Sequence, residues 1–581
     1  MSDNFVHVGA ASEIREQGRM RVNVEGRNLA IFHHEGQFYA VDNRCPHMGF
    51  PLSEGTVENG ILTCHWHHAR FDLACGDTFD LWADDVPSYP TEVRDGELFV
   101  AANPRGSRDP VEHWTERLNA GLRENLSLIV AKSVVHLMDS GLDYTEPVRR
   151  GVEFGTTYRE DGWGSGLTTL GVMANLVDHA RSEDVPRALY KGLTEVASDT
   201  AGAAPFFEQE ALNNPDLSAE RLNEWFRENI EVRDADGAER VLRTAIRADV
   251  GQSELARMLF GAATDHLYRN TGHTLDFINK AFETLDRIGW EHAERVLPTL
   301  VPGLAGASRA EENSSWRQPI DVAGLIFEAR EGLEARIEKG AGGEWEEPED
   351  FIEVLIGDDP RSIVQRLDEA IAAGASAERL ASAVTYAAAL RIAQFGTSNE
   401  FNDWNTVHHT FSYANAVHGA ARRTDGPEAY RGIYDAAIKI YLDRFLNMPP
   451  ARIPAPGEAG RPTEGILDEL MESFDVEGDD EVERAGRLTA AFLDTGGDTQ
   501  ILREALTSRL LREDAGFHPN QNLEAAYNQL AYQSGGRGRL FLIAAARFLA
   551  AHTPTRRSGE QTFEIAQRLH RGENIHETSG G

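Results

Sequence analysis

Apolar and polar positions alternate along the first hundred residues. Met20-Arg-Val-Asn-Val, Leu29-Ala-Ile-Phe, Gln37-Phe-Tyr-Ala-Val and Glu97-Leu-Phe-Val read as short strands, with Glu25-Gly26 and Asp95-Gly96 as turn pairs between such runs. An all-β module is therefore expected over 1–102. Asn103-Pro-Arg-Gly-Ser-Arg-Asp-Pro110 breaks the alternation and reads as a linker over 103–110. From Val111 onward the apolar period moves from two to about 3.6, and Ala, Leu, Glu and Arg dominate. Glu112-His-Trp-Thr-Glu-Arg-Leu-Asn-Ala-Gly-Leu-Arg-Glu-Asn-Leu is an amphipathic helix on this reading. Further helices follow, with breaks at Pro302, Pro348, Pro449-Pro450 and Pro454-Ala-Pro456. The predicted architecture is an N-terminal β sandwich, a large all-α domain over 111–572, and a disordered tail over 573–581.

The helical part resembles itself. Ala245-Ile-Arg-Ala-Asp-Val-Gly-Gln-Ser-Glu-Leu-Ala lines up with Ala370-Ile-Ala-Ala-Gly-Ala-Ser-Ala-Glu-Arg-Leu-Ala and with Ala491-Phe-Leu-Asp-Thr-Gly-Gly-Asp-Thr-Gln-Ile-Leu. The anchor glycines Gly251, Gly374 and Gly497 lie 123 residues apart in both steps. A weaker copy starts at His136-Leu-Met-Asp-Ser-Gly141. Each copy reads helix, glycine stop, N-cap, helix, which predicts pseudo-repeated helical hairpins near 128–240, 241–363, 364–486 and 487–572. A packed bundle of such hairpins is expected; a solenoid is the competing layout.

Composition narrows the function classes. A chain of 581 residues needs at least two domains, and 41% hydrophobic with 26% charged residues belongs to an ordinary globule. A net charge of −37 argues against a nucleic-acid partner, because neutralising phosphates takes clustered Lys and Arg. Only five of the 57 basic residues are lysines: Lys132, Lys191, Lys280, Lys339 and Lys439. Such an acidic, arginine-rich surface fits a salt-adapted protein and an ordinary acidic cytosolic one equally. No run reaches the roughly 18–20 apolar residues of a membrane helix, and Met1-Ser-Asp-Asn does not open a secretory signal. The expected compartment is the cytoplasm, with no membrane partner.

The three cysteines, Cys45, Cys64 and Cys75, all fall in the β module. An odd, low count argues against a disulfide framework. Cys45-Pro-His47 is C-x-H and Cys64-His-Trp-His67 is C-x-x-H, with sixteen residues between His47 and Cys64. Two thiolates and two imidazoles suit an iron–sulfur cluster or a tetrahedral zinc site, so the bare donor set is ambiguous. The flanks, Phe38-Tyr-Ala-Val-Asp-Asn-Arg-Cys-Pro-His-Met-Gly-Phe-Pro-Leu-Ser-Glu-Gly and Cys64-His-Trp-His-His-Ala-Arg-Phe-Asp-Leu, resemble the Rieske [2Fe–2S] family over about residues 1–102. The resemblance implies one [2Fe–2S] cluster, with Cys45 and Cys64 on one iron and His47 and His67 on the other. Respiratory members carry an extra cysteine in each loop, joined as a disulfide; here Phe50 and Trp66 stand in those places. That likens the chain to the ferredoxin and oxygenase type, at the lower end of the Rieske potential range near about −150 mV. His65 and His68 are read as loop residues, and Cys75 as a small strand residue without a redox role.

The repeats also bring a histidine back in a recurring place. His273 and His518 follow their anchor glycines by 22 and 21 residues, and His409 follows by 35, as though Thr397-Ser-Asn-Glu-Phe-Asn-Asp-Trp-Asn were inserted. If the copies pack around a pseudo-axis, these histidines converge at helix starts. With Asp265, His266, His408 and Asp514 nearby, they would bind an additional iron or another transition metal. A histidine that opens a helix also serves as a cap or satisfies a buried carbonyl. Gly162-Trp-Gly-Ser-Gly166 is read as a turn before a helix at Leu167, since no strand precedes it.

Three functions follow. The first is an oxidoreductase in which the cluster feeds electrons to a reaction in or near the helical domain, acting on a small-molecule substrate. The second, a ring-hydroxylating oxygenase, expects D-x-x-H-x-x-x-x-H; Asp403-Trp-Asn-Thr-Val-His408-His409 has the wrong spacing. The third is a non-catalytic redox-sensing or partner-binding protein whose helical domain is a scaffold. Thr271-Gly-His273-Thr-Leu and His408-His-Thr-Phe-Ser-Tyr-Ala give the helical part a faint resemblance to questin-oxidase-like proteins, which favours the first function. No nucleotide-binding fingerprint is visible, so a separate reductase is expected as electron donor.

Overall fold

The computed structural model describes residues 4–106, 109–214, 216–455, 465–533, 536–573 and 575. Among them, the strands are β1 (Phe5–Ala10), β2 (Arg19–Val24), β3 (Arg27–His34), β4 (Gln37–Asp42), β5 (Thr56–Glu58), β6 (Ile61–Thr63), β7 (Arg70–Asp72), β8 (Ser88–Tyr89), β9 (Thr91–Arg94) and β10 (Glu97–Ala101). They form three antiparallel sheets, ordered β1-β10-β9, β2-β3-β4-β8 and β5-β6-β7. The expected N-terminal β sandwich is therefore present.

Its hairpins arise where the turn pairs predict them. Val24 pairs with Arg27 and Arg94 with Glu97. Both central residues of each turn are left-handed, with φ of 49° and 88° at Glu25-Gly26 and 50° and 83° at Asp95-Gly96. That conformation matches the twist of the flanking strands. Strand β3 runs between two cores and divides its side chains by the period of two. Leu29 and Ile31 pack with Ala11, Ile14, Phe38, Leu98 and Val100. Ala30 and Phe32 point the other way, into a core containing Cys45, Leu62, Cys64 and Phe71.

The chain divides into two compact units, Met1–Tyr144 with Ser558–Gly581, and Thr145–Arg557. The boundary thus differs from the one expected near 102–111. Three helices, Pro110–Arg123, Ser127–Asp139 and Ser558–His570, belong with the sandwich. Specific polar anchors tie them there. Buried Asp84 meets His113 Nε2 at 3.2 Å and Arg117 Nε at 3.3 Å. Arg44 donates to the carbonyls of Leu569 and Glu573 at 2.9 and 2.6 Å. His570 Nδ1 lies 3.3 Å from His136 Nε2. Of the expected tail, Glu573 accepts this bond from Arg44 and Ile575 is buried; the rest of 573–581 lies outside the described residues.

The second unit is helical, with no strand among its described residues. Three successive helix–glycine–helix segments lie where the self-similar stretches fall. Ala235–Arg247 leads through Gly251 (φ 90°) into Gln252–Thr264, and Pro360–Ala372 leads through Gly374 (φ 99°) into Ala377–Ala393. In the third, Asp479–Asp494 leads into Thr499–Arg512, and the left-handed residue is Gly496 (φ 82°) rather than the expected Gly497. After each pair comes another helix: His273–Ile288, Asp403–Ala421 and Phe517–Tyr532. Pro302 breaks no helix; it sits in the first turn of Val301–Gly306, where its missing N–H is not needed. Gly162 to Gly164 form the expected turn, with Gly162 left-handed, and the helix starts at Ser165, two residues before the expected Leu167. Among the described residues no helix is long and apolar enough to cross a membrane.

Candidate metal centre

The two cysteine–histidine segments are loops at one end of the sandwich. The first follows β4. It is closed by hydrogen bonds from Leu52 N to Asn43 O (3.0 Å), Cys45 N to Phe50 O (2.8 Å) and Gly49 N to Cys45 O (2.7 Å). The second joins β6 to β7 and is closed by Cys64 N to Ala69 O at 2.8 Å. His68 turns that loop back with φ 63°, a conformation in which histidine is enriched among non-glycine residues. Phe50 of the first loop and Trp66 of the second pack with ring centroids 6.1 Å apart. Both pack against the core that holds Cys45 and Cys64. Aromatic packing here joins the loops.

This arrangement brings Cys45, His47, Cys64 and His67 together. The cysteine side chains hydrogen-bond each other, and the rings of His47 and His67 lie 4.9 Å apart at 87°. The hydrogen bond between the thiols, with burial, pushes Cys45 up, while the same bond lowers Cys64 to about 6. Backbone N–H groups favour negative sulfur: His47 and Met48 serve Cys45, and Trp66 and His67 serve Cys64. Burial lowers His47 to about 4, aided by the charge of Lys132, and burial also lowers His67. Both imidazoles are thus neutral, the form that ligates metal. His65 is exposed and reaches Thr56 Oγ1 at 3.3 Å. Cys75 is exposed on the turn after β7 rather than on a strand, its N–H held by Asp72.

Residues from outside the two loops complete the surroundings. Lys132, buried in the Ser127–Asp139 helix, donates to the carbonyls of Pro46 and His47 at 2.6 and 2.8 Å. Burial pushes its ammonium down to about 8. Trp82 stands edge-on to His47 with centroids 4.7 Å apart. His47 is consequently half-buried, whereas His67 is exposed. The sequence pattern did not single out Lys132 or Trp82 for this site. A signal for Lys132 did exist: it is a charge within Leu128-Ile-Val-Ala-Lys-Ser-Val-Val, in a chain with five lysines.

Two thiols and two neutral imidazoles thus meet on paired loops of a small sandwich, a donor set that could hold a metal. Residues 4–90 match the family model for the Rieske [2Fe-2S] domain. The chain is 38% identical over 78 residues to the 3-phenylpropionate/cinnamic acid dioxygenase ferredoxin subunit of Photorhabdus laumondii, covering 13% of this chain and 74% of that one. It is 31% identical over 101 residues to the ferredoxin component of the naphthalene 1,2-dioxygenase system of Pseudomonas putida, covering 17% and 97%. Among solved structures, a complex of reduced oxygenase and oxidized ferredoxin in carbazole 1,9a-dioxygenase matches at 30% identity and a TM-score of 0.17, covering 18% of this chain and 97% of that one. The protein belongs to the Rieske [2Fe–2S] family. The cofactor implied is a [2Fe–2S] cluster, and the residues present fit it. Among the described residues His47 Nδ1 is buried without a hydrogen-bond partner, beside two adjacent thiols whose negative forms are met by backbone N–H groups.

The remaining expected histidines are in the helical unit, and the structure brings His273, His409 and His518 together. His273 opens its helix and His518 lies in the first turn of its own. His409 is not at a helix start: its helix begins at Asp403, so the expected insertion is partly helical. Asp265 and His266 are engaged elsewhere, Asp265 with Arg227 and Arg431, His266 with Glu231 and Glu311. His408 is buried, with Nδ1 3.2 Å from Asn522 Nδ2.

Proposed function

We propose that this protein is a Rieske-type electron carrier and part of an oxidoreductase, passing electrons to a reaction in or near its helical portion. In this reading Cys45 and Cys64 hold one iron and His47 and His67 the other. The observation that carries it is the two-loop arrangement, with adjacent thiols, a partnerless His47 Nδ1 and an exposed His67 ring. When bound, the cluster takes up and returns a single electron. The chain's own groups set how readily it does so. N–H donors from His47, Met48, Trp66 and His67 stabilise negative charge on sulfur, as does the cation of Lys132. Phe50, Trp66 and Trp82 limit water around the loops. The exposed edge of His67 is the route for electron exchange, rather than both histidines equally, because Trp82 covers His47.

The relatives' names, a ferredoxin subunit and a ferredoxin component of dioxygenase systems, support an electron-delivering role; a separate reductase is the donor in this reading because the sequence carries no nucleotide-binding fingerprint. The reading takes the cytoplasm, where thiols are kept reduced, as the compartment. The test is iron, acid-labile sulfide and EPR on anaerobically purified protein reduced with dithionite. Two irons, two sulfides and a rhombic Rieske signal are expected, all lost in Cys64→Ala and His67→Ala. Zinc without sulfide in the wild type would overturn the reading.

A further inference from the structure

We propose that His273, His409 and His518 bind one divalent first-row transition-metal ion, in a centre of the helical unit distinct from the iron–sulfur loops. Each residue offers one ring nitrogen, and these nitrogens all lie within 4.8 Å of one another. His409 Nε2 and His518 Nε2 are 2.9 Å apart. With metal–nitrogen bonds of about 2.0–2.1 Å, that separation subtends an angle of about 90°. The His273 ring lies 4.6 Å from His409 and 5.8 Å from His518, centroid to centroid.

A hydrogen bond between two neutral imidazoles would account for the His409–His518 contact alone. It gives no reason for the third ring or for the backbone that delivers it. The segment before His273 is left-handed at three non-glycine residues, Tyr268 (φ 40°), Asn270 (φ 49°) and Thr271 (φ 55°), and again at Gly272 (φ 95°). Such backbone persists where the surroundings over-determine it, and it clusters at functional sites. His273 Nδ1 is moreover buried with no hydrogen-bond partner among the described residues.

The three carrier helices are locked to each other by buried polar pairs. Lys280 of the first meets Glu524 of the third at 2.7 Å, and Gln521 donates to Asp276. Asn522 and Gln529 of the third meet His408 and Asn415 of the second at 3.2 and 2.8 Å. Locked supports of this kind are what holds ligands in place before a metal arrives. Burial lowers His273 to about 4 and His409 to about 3, so both rings are neutral at pH 7. An all-imidazole set selects Zn, Fe, Cu or Ni over Mg or Ca, and three protein ligands leave a position open for water or a substrate.

The proposal does not rest on the electron-carrier reading, and its test separates the two. Full-length protein, freed of loosely held metal by a chelator, is titrated with Zn²⁺ alone by calorimetry, and its metals are counted by mass spectrometry. One zinc per chain is expected in the wild type and equally in Cys45→Ala/Cys64→Ala, whose cluster loops keep no thiol to take zinc. Binding should fall by more than about 100-fold in His409→Ala/His518→Ala and stay unchanged in His266→Ala, with helical circular dichroism preserved in both. Should the histidine double variant misfold, the wild type still decides. No zinc uptake there, or uptake that survives intact in a folded double variant, overturns the site.

Discussion

Removing the charge of Lys132 should lower the potential of the cluster. Its Nζ is hydrogen-bonded to the carbonyls of Pro46 and His47 and is 4% exposed, so the cation is poorly screened. Those carbonyls belong to the loop carrying two of the four proposed ligands. At an effective dielectric constant of about 20, a unit charge is worth about 2 kcal/mol at a separation on the order of 8 Å, or about 90 mV for one electron. Water penetration would halve it. Reduction adds negative charge, so loss of the cation disfavours the reduced state and the shift is downward. The assay is a dithionite-mediated redox titration at pH 7, below the value of about 8 to which burial brings the lysine, so that the wild type is protonated. Two variants separate charge from scaffold. Lys132→Gln keeps a donor for the carbonyls, whereas Lys132→Met leaves both unsatisfied and costs about 2–4 kcal/mol of stability as well. Both should fall by about 45–90 mV. Potentials within about 10 mV of the wild type in both variants, with the cluster intact, would refute the electrostatic argument.

Trp66→Ala should cost about 2–3 kcal/mol and speed loss of iron in chelator, because the ring is half-buried and closes the two loops against Phe50; unchanged kinetics would mean the aromatic pair does not brace the site. Cys75→Ala should keep two irons and the EPR signal, since its side chain is exposed and outside both loops. For Asp276, burial raises the carboxyl to about 7 from 3.8, so between those values the folded chain holds a proton that the unfolded chain has released. Its contribution to stability therefore declines as pH rises from about 4 to about 7, by up to about 1.4 kcal/mol per unit. Denaturant titrations across that window should show this slope flattened in Asp276→Asn, and an unaltered slope would count against a raised Asp276.

The parts of this molecule that are legible in its sequence are those written over short separations. The hairpins at Glu25-Gly26 and Asp95-Gly96 need two left-handed residues in a row, and the alternation on either side sets the register. The metal-centre loops carry their donors at fixed local spacing within distinctive flanks, so Cys45, His47, Cys64 and His67 stand out in the sequence itself. The helix–glycine–helix units are readable for the same reason, and their recurrence at 123 residues makes the meeting of three distant histidines predictable. What escapes lies in pairings across long stretches of chain. Arg44 bonds to Leu569, 525 residues away, and this contact together with Asp84–His113 places three helices with the sandwich. No periodicity marks such partners, since Arg44 and Asp84 are single loop residues, one of which meets a backbone carbonyl and the other one histidine of a helix.

The lysines show how a global feature can carry that missing information. In a chain that uses arginine almost throughout, three of the five lysines are buried, and each has a specific task for a small, single-headed cation. Lys132 caps two carbonyls of the first metal-centre loop, and Lys191 meets those of Leu510 and Glu513 at 3.0 and 2.7 Å. Lys280 sits between Glu283 and Glu524 at 2.6 and 2.7 Å. A planar guanidinium with five donors would leave N–H groups unsatisfied at such sites, which is the cost that selects against arginine there. Where one basic residue type is rare overall and occurs inside apolar helical runs, its burial beside backbone carbonyls or paired carboxylates is the physically economical reading. Applied to Leu128-Ile-Val-Ala-Lys132-Ser-Val-Val, that rule points to a buried cation, and the structure places it on the carbonyls of the loop that carries Cys45 and His47.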